Sequence, residues 1–132
     1  MLGPEWYLEL VEKLKDLDIS ILVNDVGMGT LGLAPKNVDV KLQDTLDITI
    51  VNCVPQVMFS GLFIPKFQKR EKKSGIINLS STSSLDNVHV DIYGATKAFN
   101  RKLSLDCGAL YSNNQIDFFA IKPGWVCQAL EG

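Results

Sequence analysis

Residues 19–29, ISILVNDVGMG, decide the fold: a short run of β-branched and other apolar side chains that stops at Asn24, Asp25 and two glycines. A run this short, bounded by turn residues, reads as a strand over Ile19–Val26 rather than as a helix. Its apolar residues are continuous rather than alternating with polar ones. That pattern belongs to a strand buried on both faces, as in a parallel sheet.

Two further segments repeat the pattern. GIINLSS, Gly75–Ser81, is a second short apolar strand that ends in hydroxyls, and QIDFFAIKPGW contains a third, Ile116–Ile121, closed by Pro123 and Gly124. Helical spacing fills the intervals. Pro4–Asp16 carries Trp6, Leu10, Val11 and Leu14 on a helical period with proline near the first turn. Between Pro35 and Lys72, Leu42, Leu46, Val51, Val54, Met58 and Leu62 recur three to five residues apart, which predicts one long helix or two. Pro55 removes the amide that would bond the carbonyl of Val51, so a kink is expected beside Asn52. A polar loop, Thr82–Asp91, then leads into a helix over Ile92–Tyr111.

Helix, strand, helix, strand, helix, strand predicts right-handed βαβ crossovers and a parallel α/β sheet covered on both faces. Ligands of such sheets bind beyond the carboxyl ends of the strands. Here that edge is marked three times: Asn24, Asp25 and Gly27 after the first strand, Ser80 and Ser81 after the second, Pro123 and Gly124 after the third.

The bulk composition narrows the function classes. The chain has 132 residues, 46% of them apolar and 21% charged, enough for one domain with a core. A net charge of -2 gives no electrostatic reason to bind nucleic acid. The basic cluster KFQKREKK, Lys66–Lys73, falls where a loop is expected and reads as solvated surface. Cys53, Cys107 and Cys127 lack C-x-x-C spacing and His89 is the one histidine, so no metal site is expected and the cysteines read as reduced thiols in a reducing compartment. No apolar run approaches the roughly 20 residues that cross a bilayer, and MLGPEWYLEL lacks the features of a secretory signal.

VDIYGATKAFNRKL, Val90–Leu103, places Tyr93 and Lys97 four residues apart, on one face of the last helix. A phenol ionises near pH 10 in water, and a cation beside it favours the phenolate. Together with LVNDVG, Asn52, the serines of INLSS, and KPGWV, the pair resembles the motif set of the short-chain dehydrogenase/reductase family, in that family's order. Within it the wording ILVNDVGMG, INLSS and IYGATKAF is nearest to the 17-beta-hydroxysteroid dehydrogenase and very-long-chain 3-oxoacyl-CoA reductase group.

The resemblance implies the C-terminal half of a Rossmann-type, doubly wound parallel sheet, and an oxidoreductase that interconverts a carbonyl and a hydroxyl on a bulky apolar substrate such as a steroid or 3-oxoacyl-CoA. It implies NADP or NAD as cofactor, with NADP favoured. Tyr93 would be the proton donor and acceptor, Ser81 the group that orients the substrate oxygen, and Asn52 the anchor of a water that relays protons to Lys97. Asn24, Val26, Gly27, Tyr93, Lys97, Pro123, Gly124 and Val126 would contact the cofactor. Counting back from Tyr93 favours Ser80 by one residue, whereas matching the strand text favours Ser81, because loops tolerate deletions better than strands do. Trp125 and Met28 are candidates for a substrate pocket or for packing.

The sequence departs from the family in several places. The glycine-rich pyrophosphate loop and its strand are absent, Asp25 replaces the second asparagine of its motif, and Gln128 stands where the family has threonine. Residues 1–132 therefore read as one partial Rossmann-like domain without the pyrophosphate-binding half, a fragment of a larger enzyme. The alternative reading is a non-catalytic binding or scaffold remnant of that fold. The family's helix before the serine strand allows a homodimer, and the group implies lipid or steroid metabolism, in the cytoplasm or at the endoplasmic reticulum.

Overall fold

A computed structural model describes residues 3–29, 41–85, 91–111 and 115–124; His89, Trp125, Val126, Cys127 and Gln128 lie outside the described residues. The elements follow the expected alternation: α1 (Pro4–Lys13), β1 (Ile21–Asn24), α2 (Leu42–Gln68), β2 (Ser74–Leu79), a 3-10 turn η1 (Thr82–Ser84), α3 (Asp91–Leu110) and β3 (Ile116–Ile121). The three strands form one parallel sheet in the order β1-β2-β3. In register, Val23 faces Ile77 and Phe119, and Asn24 faces Asn78 and Ala120. All three chains therefore leave the sheet at the same edge.

β3 has the expected bounds, Ile116–Ile121, whereas the first two strands end before their expected limits. β1 covers four of the eight residues of Ile19–Val26, and β2 ends at Leu79, leaving Ser80 and Ser81 in the turn beyond it. α2 runs 27 residues through both Pro55 and Pro65 as one helix. By length and composition it could cross a bilayer, contrary to the expectation from the sequence. It is also a packed helix of this sheet: Phe63, Ile64 and Phe67 join Val11, Ile76 and Ile116 in the hydrophobic core. α1 rests on it through Tyr7, whose ring meets Phe59 edge-on at 5.1 Å.

The expectation of a sheet covered on both faces is not met among the described residues. Leu22, Ile76, Ile116 and Phe118 point into the core under the helices. Their neighbours on the opposite face stay open, with Ile21 59%, Val23 54% and Phe119 55% exposed. The cause is topological. Both crossovers step the same way across the sheet, and connections of the same hand then put α2 and α3 on the same side. A doubly wound sheet needs strands added in the other direction to clothe its second face.

In the basic cluster Lys66, Lys69, Lys72 and Lys73 are exposed, as a solvated surface requires, but the segment is not all loop. Lys66 to Gln68 form the end of α2, and Arg70, its side chain only 15% exposed, pairs with Asp18. Cations in the last turn of a helix meet the partial negative charge of its free carbonyls.

Candidate active site

The common exit of the strands builds a cleft of about 380 Å3. β1 sends Asp25, Gly27, Met28 and Gly29 to its wall, β2 sends Leu79, Ser80 and Ser81, and β3 sends Pro123 and Gly124. The first turns of α3 contribute Tyr93 and Lys97. Asn24 and Val26 are not among its lining residues. The Asn24 side chain is buried and donates to Oδ1 of Asn78 at 2.8 Å, while Val26 is 44% exposed.

Lys97 is almost wholly buried, yet its ammonium reaches the cleft. Nζ donates to the carbonyl of Leu79 at 3.0 Å and lies 5.6 Å from the centre of the Tyr93 ring. Burial pulls the Lys97 pKa below the ordinary lysine value, and Asp25 and Cys53 pull the other way. Burial raises the Cys53 thiol pKa, with Lys97 opposing. Cys53 and Cys107 are both free.

The glycine after β1 is explained by this ammonium. A Cβ on Gly27 would stand 3.0 Å from Nζ of Lys97 and 3.6 Å from Oδ1 of Asn52. A methyl there would press on the end of the lysine side chain and displace its ammonium by a few tenths of an ångström. Gly94 makes a similar approach at the start of α3, where a Cβ would meet the Ser83 carbonyl at 3.0 Å.

Asn52 sits behind the cleft rather than in its wall. Its Oδ1 accepts from the amide of Met28 at 2.7 Å, and its Nδ2 donates both to the carbonyl of Met28 and to Oγ1 of Thr96, each at 2.9 Å. This side chain ties the loop after β1 to α2 and α3. Both of its amide hydrogens are thereby engaged.

The two serines divide the work. Ser80 is buried and donates from Oγ to the backbone carbonyl of Lys97 at 2.6 Å, fastening α3 to the end of β2. Ser81 caps η1, and its Oγ accepts from the amide of Ser83 at 3.2 Å and from the Ser83 hydroxyl at 2.9 Å. Its own hydroxyl hydrogen stays free to point into the cleft. Among the described residues, no cluster of three or more histidine, cysteine or carboxylate side chains suits a metal.

Reading the sequence missed the buried polar layer behind these residues. Asn78 donates to Ser104 at 2.8 Å, Ser104 to the carbonyl of Asn100 at 3.1 Å, and Asn100 reaches toward the carbonyl of Leu79 at 3.5 Å. The signal was present as polar residues every four positions, Asn52, Gln56 and Ser60 on α2 and Thr96, Asn100 and Ser104 on α3.

A family model described as short chain dehydrogenase matches residues 5–131. Among curated proteins, the chain is 29% identical over 96% of its length to a 17-beta-hydroxysteroid dehydrogenase type 3 of Danio rerio, covering 42% of that protein. It is 28% identical over 94% of its length to a very-long-chain 3-oxooacyl-coA reductase of Caenorhabditis briggsae, covering 40% of it. The chain thus spans about two fifths of the length of these relatives. Among solved structures, the closed form of a serine dehydrogenase complexed with NADP+ is 28% identical, with a TM-score of 0.81 over 96% of this chain and 52% of that one.

Proposed function

Because the chain belongs to the short-chain dehydrogenase family, we propose that it carries the catalytic, nicotinamide-side part of an NADP(H)- or NAD(H)-dependent oxidoreductase that interconverts a carbonyl and a hydroxyl. The observation that supports this reading most directly is the cleft shared by Ser81, Tyr93 and Lys97 at the carboxyl edge of the sheet. The relatives that act on steroids and very-long-chain 3-oxoacyl-CoA suggest a bulky, apolar substrate. The NADP+ complex of the serine dehydrogenase favours NADP.

The described residues fit the nicotinamide end of such a cofactor. Gly27 leaves room beside the Lys97 ammonium for a ribose hydroxyl, and the bends at Gly27–Gly29 and Pro123–Gly124 bring backbone rather than bulky side chains to the cleft. Asn24 and Val26 would act through the backbone of the same bend, since their side chains lie elsewhere. No glycine-rich pyrophosphate loop is present in these 132 residues, so binding by this chain alone is expected to be weak. When bound there, a reduced nicotinamide would supply the hydride for the carbonyl carbon.

Tyr93 gives its proton to the carbonyl oxygen in reduction and takes it back in the reverse direction. Lys97 holds a positive charge near the ring while the phenol oxygen gains negative charge. Ser81 donates its free hydroxyl hydrogen to the substrate oxygen and fixes its direction. Ser80, committed to the backbone of α3, supports the helix that carries Tyr93 and Lys97.

In the enzyme that contains this chain, Tyr93→Phe should lower kcat by about a hundredfold or more, with a 17-ketosteroid or a 3-oxoacyl-CoA as substrate. Turnover unchanged in that variant would remove the proton-donor role. NADPH titrated against the 132-residue chain should bind weakly, in about the millimolar range, and Lys97→Met should weaken it further.

A further inference from the structure

A second cavity, of about 280 Å3, lies where the chain turns from α1 toward β1 against the last turns of α2. It takes no part in the chemistry above. Asp18 and Ile19 lead into β1 here and Arg70 leads toward β2, so this is the edge at which the strands enter the sheet. Strands of four to six residues, about 13–20 Å, separate it from the cleft at their exits.

Its walls divide by chemistry. Phe63 and Phe67 are buried and Leu14 and Ile19 half-buried, and together they make an apolar floor. Lys15, Lys66, Lys69 and Arg70 bring four cations to the same space, against the single lining carboxylate of Asp18. This excess stands in a chain whose net charge is -2. Along α2 the two kinds alternate, Phe63, Lys66, Phe67 and Arg70 following one another three or four residues apart on one face.

Only part of that charge is matched within the protein. Lys15 pairs with Glu12 at 2.6 Å, and Nη1 of Arg70 pairs with Asp18. Lys66 and Lys69 form no ion pair among the described residues. Nε of Arg70 is buried and has no hydrogen-bond partner. A guanidinium only donates, so this hydrogen calls for an acceptor from outside. Free carbonyls at a helix end would repel an anion. Those of Lys66 and Phe67 are already occupied, accepting from the amides of Lys69 and Arg70 at 3.2 and 3.1 Å.

Size and chemistry select the occupant. About 280 Å3 is the liquid volume of roughly nine waters, room for a short chain and one head group. An inorganic anion would leave the phenylalanine floor uncovered, and a neutral hydrocarbon would leave the cations and the Arg70 Nε unmatched. We propose that this cavity is a second binding site, for a small amphiphilic anion whose acid group meets Lys66, Lys69 and Arg70 and whose apolar body lies on Phe63 and Phe67. A medium-chain fatty acid is the simplest ligand of this class. The site is independent of the catalytic reading, since neither Tyr93 nor Lys97 lines it.

Octanoate titrated into the 132-residue chain tests this. Amide shifts in NMR should saturate in about the millimolar range and be largest over residues 14–19 and 66–70. Octanol, the tail without the charge, and inorganic phosphate, the charge without the tail, should each bind about tenfold more weakly. Lys66→Gln combined with Lys69→Gln, both at exposed positions that cost the fold little, should weaken octanoate by about tenfold and flatten its dependence on salt. Phe119→Lys, on the open face of the sheet, should leave the affinity unchanged. Octanoate shifts that map to that open face or to the cleft, affinity equalled by octanol or by phosphate, or affinity untouched by the double substitution would each overturn the proposal. So would a chain that ignores octanoate and sediments with phosphatidylglycerol vesicles, because the cations would then serve a membrane surface. A failed Tyr93→Phe test removes the catalytic role and leaves these measurements standing.

Discussion

Lys97 is held where water would rather not leave it. The residue is almost wholly buried, and its pKa is lowered mainly by that burial. A lysine whose folded pKa lies below its unfolded value of 10.5 costs stability while it must stay charged, at pH below the folded pKa. The cost fades as pH rises through the folded pKa toward 10.5. Lys97→Met should therefore stabilise the fold at pH 7, and urea titrations should show that gain shrinking as pH approaches 10. The neighbouring Gly27 makes a complementary prediction. In Gly27→Ala the new methyl meets the flexible end of a side chain, so unfolding free energy should change by less than about 1 kcal/mol. The displaced ammonium should nevertheless weaken NADPH binding by about tenfold, because small misplacements at a site are costly there.

At the scale of elements, the sequence carried the alternation of helix and strand well, because β-branched runs closed by glycine, serine or proline have few other readings. Tyr93, Lys97, Ser81 and the bends at Gly27 and Gly124 were legible for the same reason: they stand at strand ends or one helical turn apart. Thr96 was not. A threonine inside a helix looks ordinary until the partner helix is known, and its bond to Asn52 joins residues 44 positions apart. Thr96→Val keeps the shape and leaves Nδ2 of Asn52 short of one acceptor. It should cost about 1–3 kcal/mol in urea unfolding, far more than a polar-to-apolar change on an open surface. The bounds of β1 were overread for a related reason: apolar text continues past its last ladder residue into Val26, which serves the bend.

For the whole molecule, the difference between the two sheet faces is the main consequence of topology. Ile76 is fully buried beneath the helices, and Ile76→Ala should cost about 2–5 kcal/mol. Phe119, one register beyond the Ile76–Phe118 pair, stands half open on the other side. Phe119→Lys should leave the unfolding free energy within about 1 kcal/mol and reduce both binding of the dye ANS and self-association in light scattering. The expectation of two clothed faces failed because it took the architecture of a doubly wound sheet for three strands whose two crossovers step the same way.

The strand order has a kinetic side as well. Each strand pairs with the one made just before it, yet the paired residues stand 54 positions apart between β1 and β2 and 42 positions apart between β2 and β3. Parallel pairing over such separations must meet the loop-closure entropy before its contacts form, which slows folding. On the ribosome, β1 and β2 can join around α2 while α3 and β3 are still being synthesised, and assembly proceeds from the amino end in the order of translation.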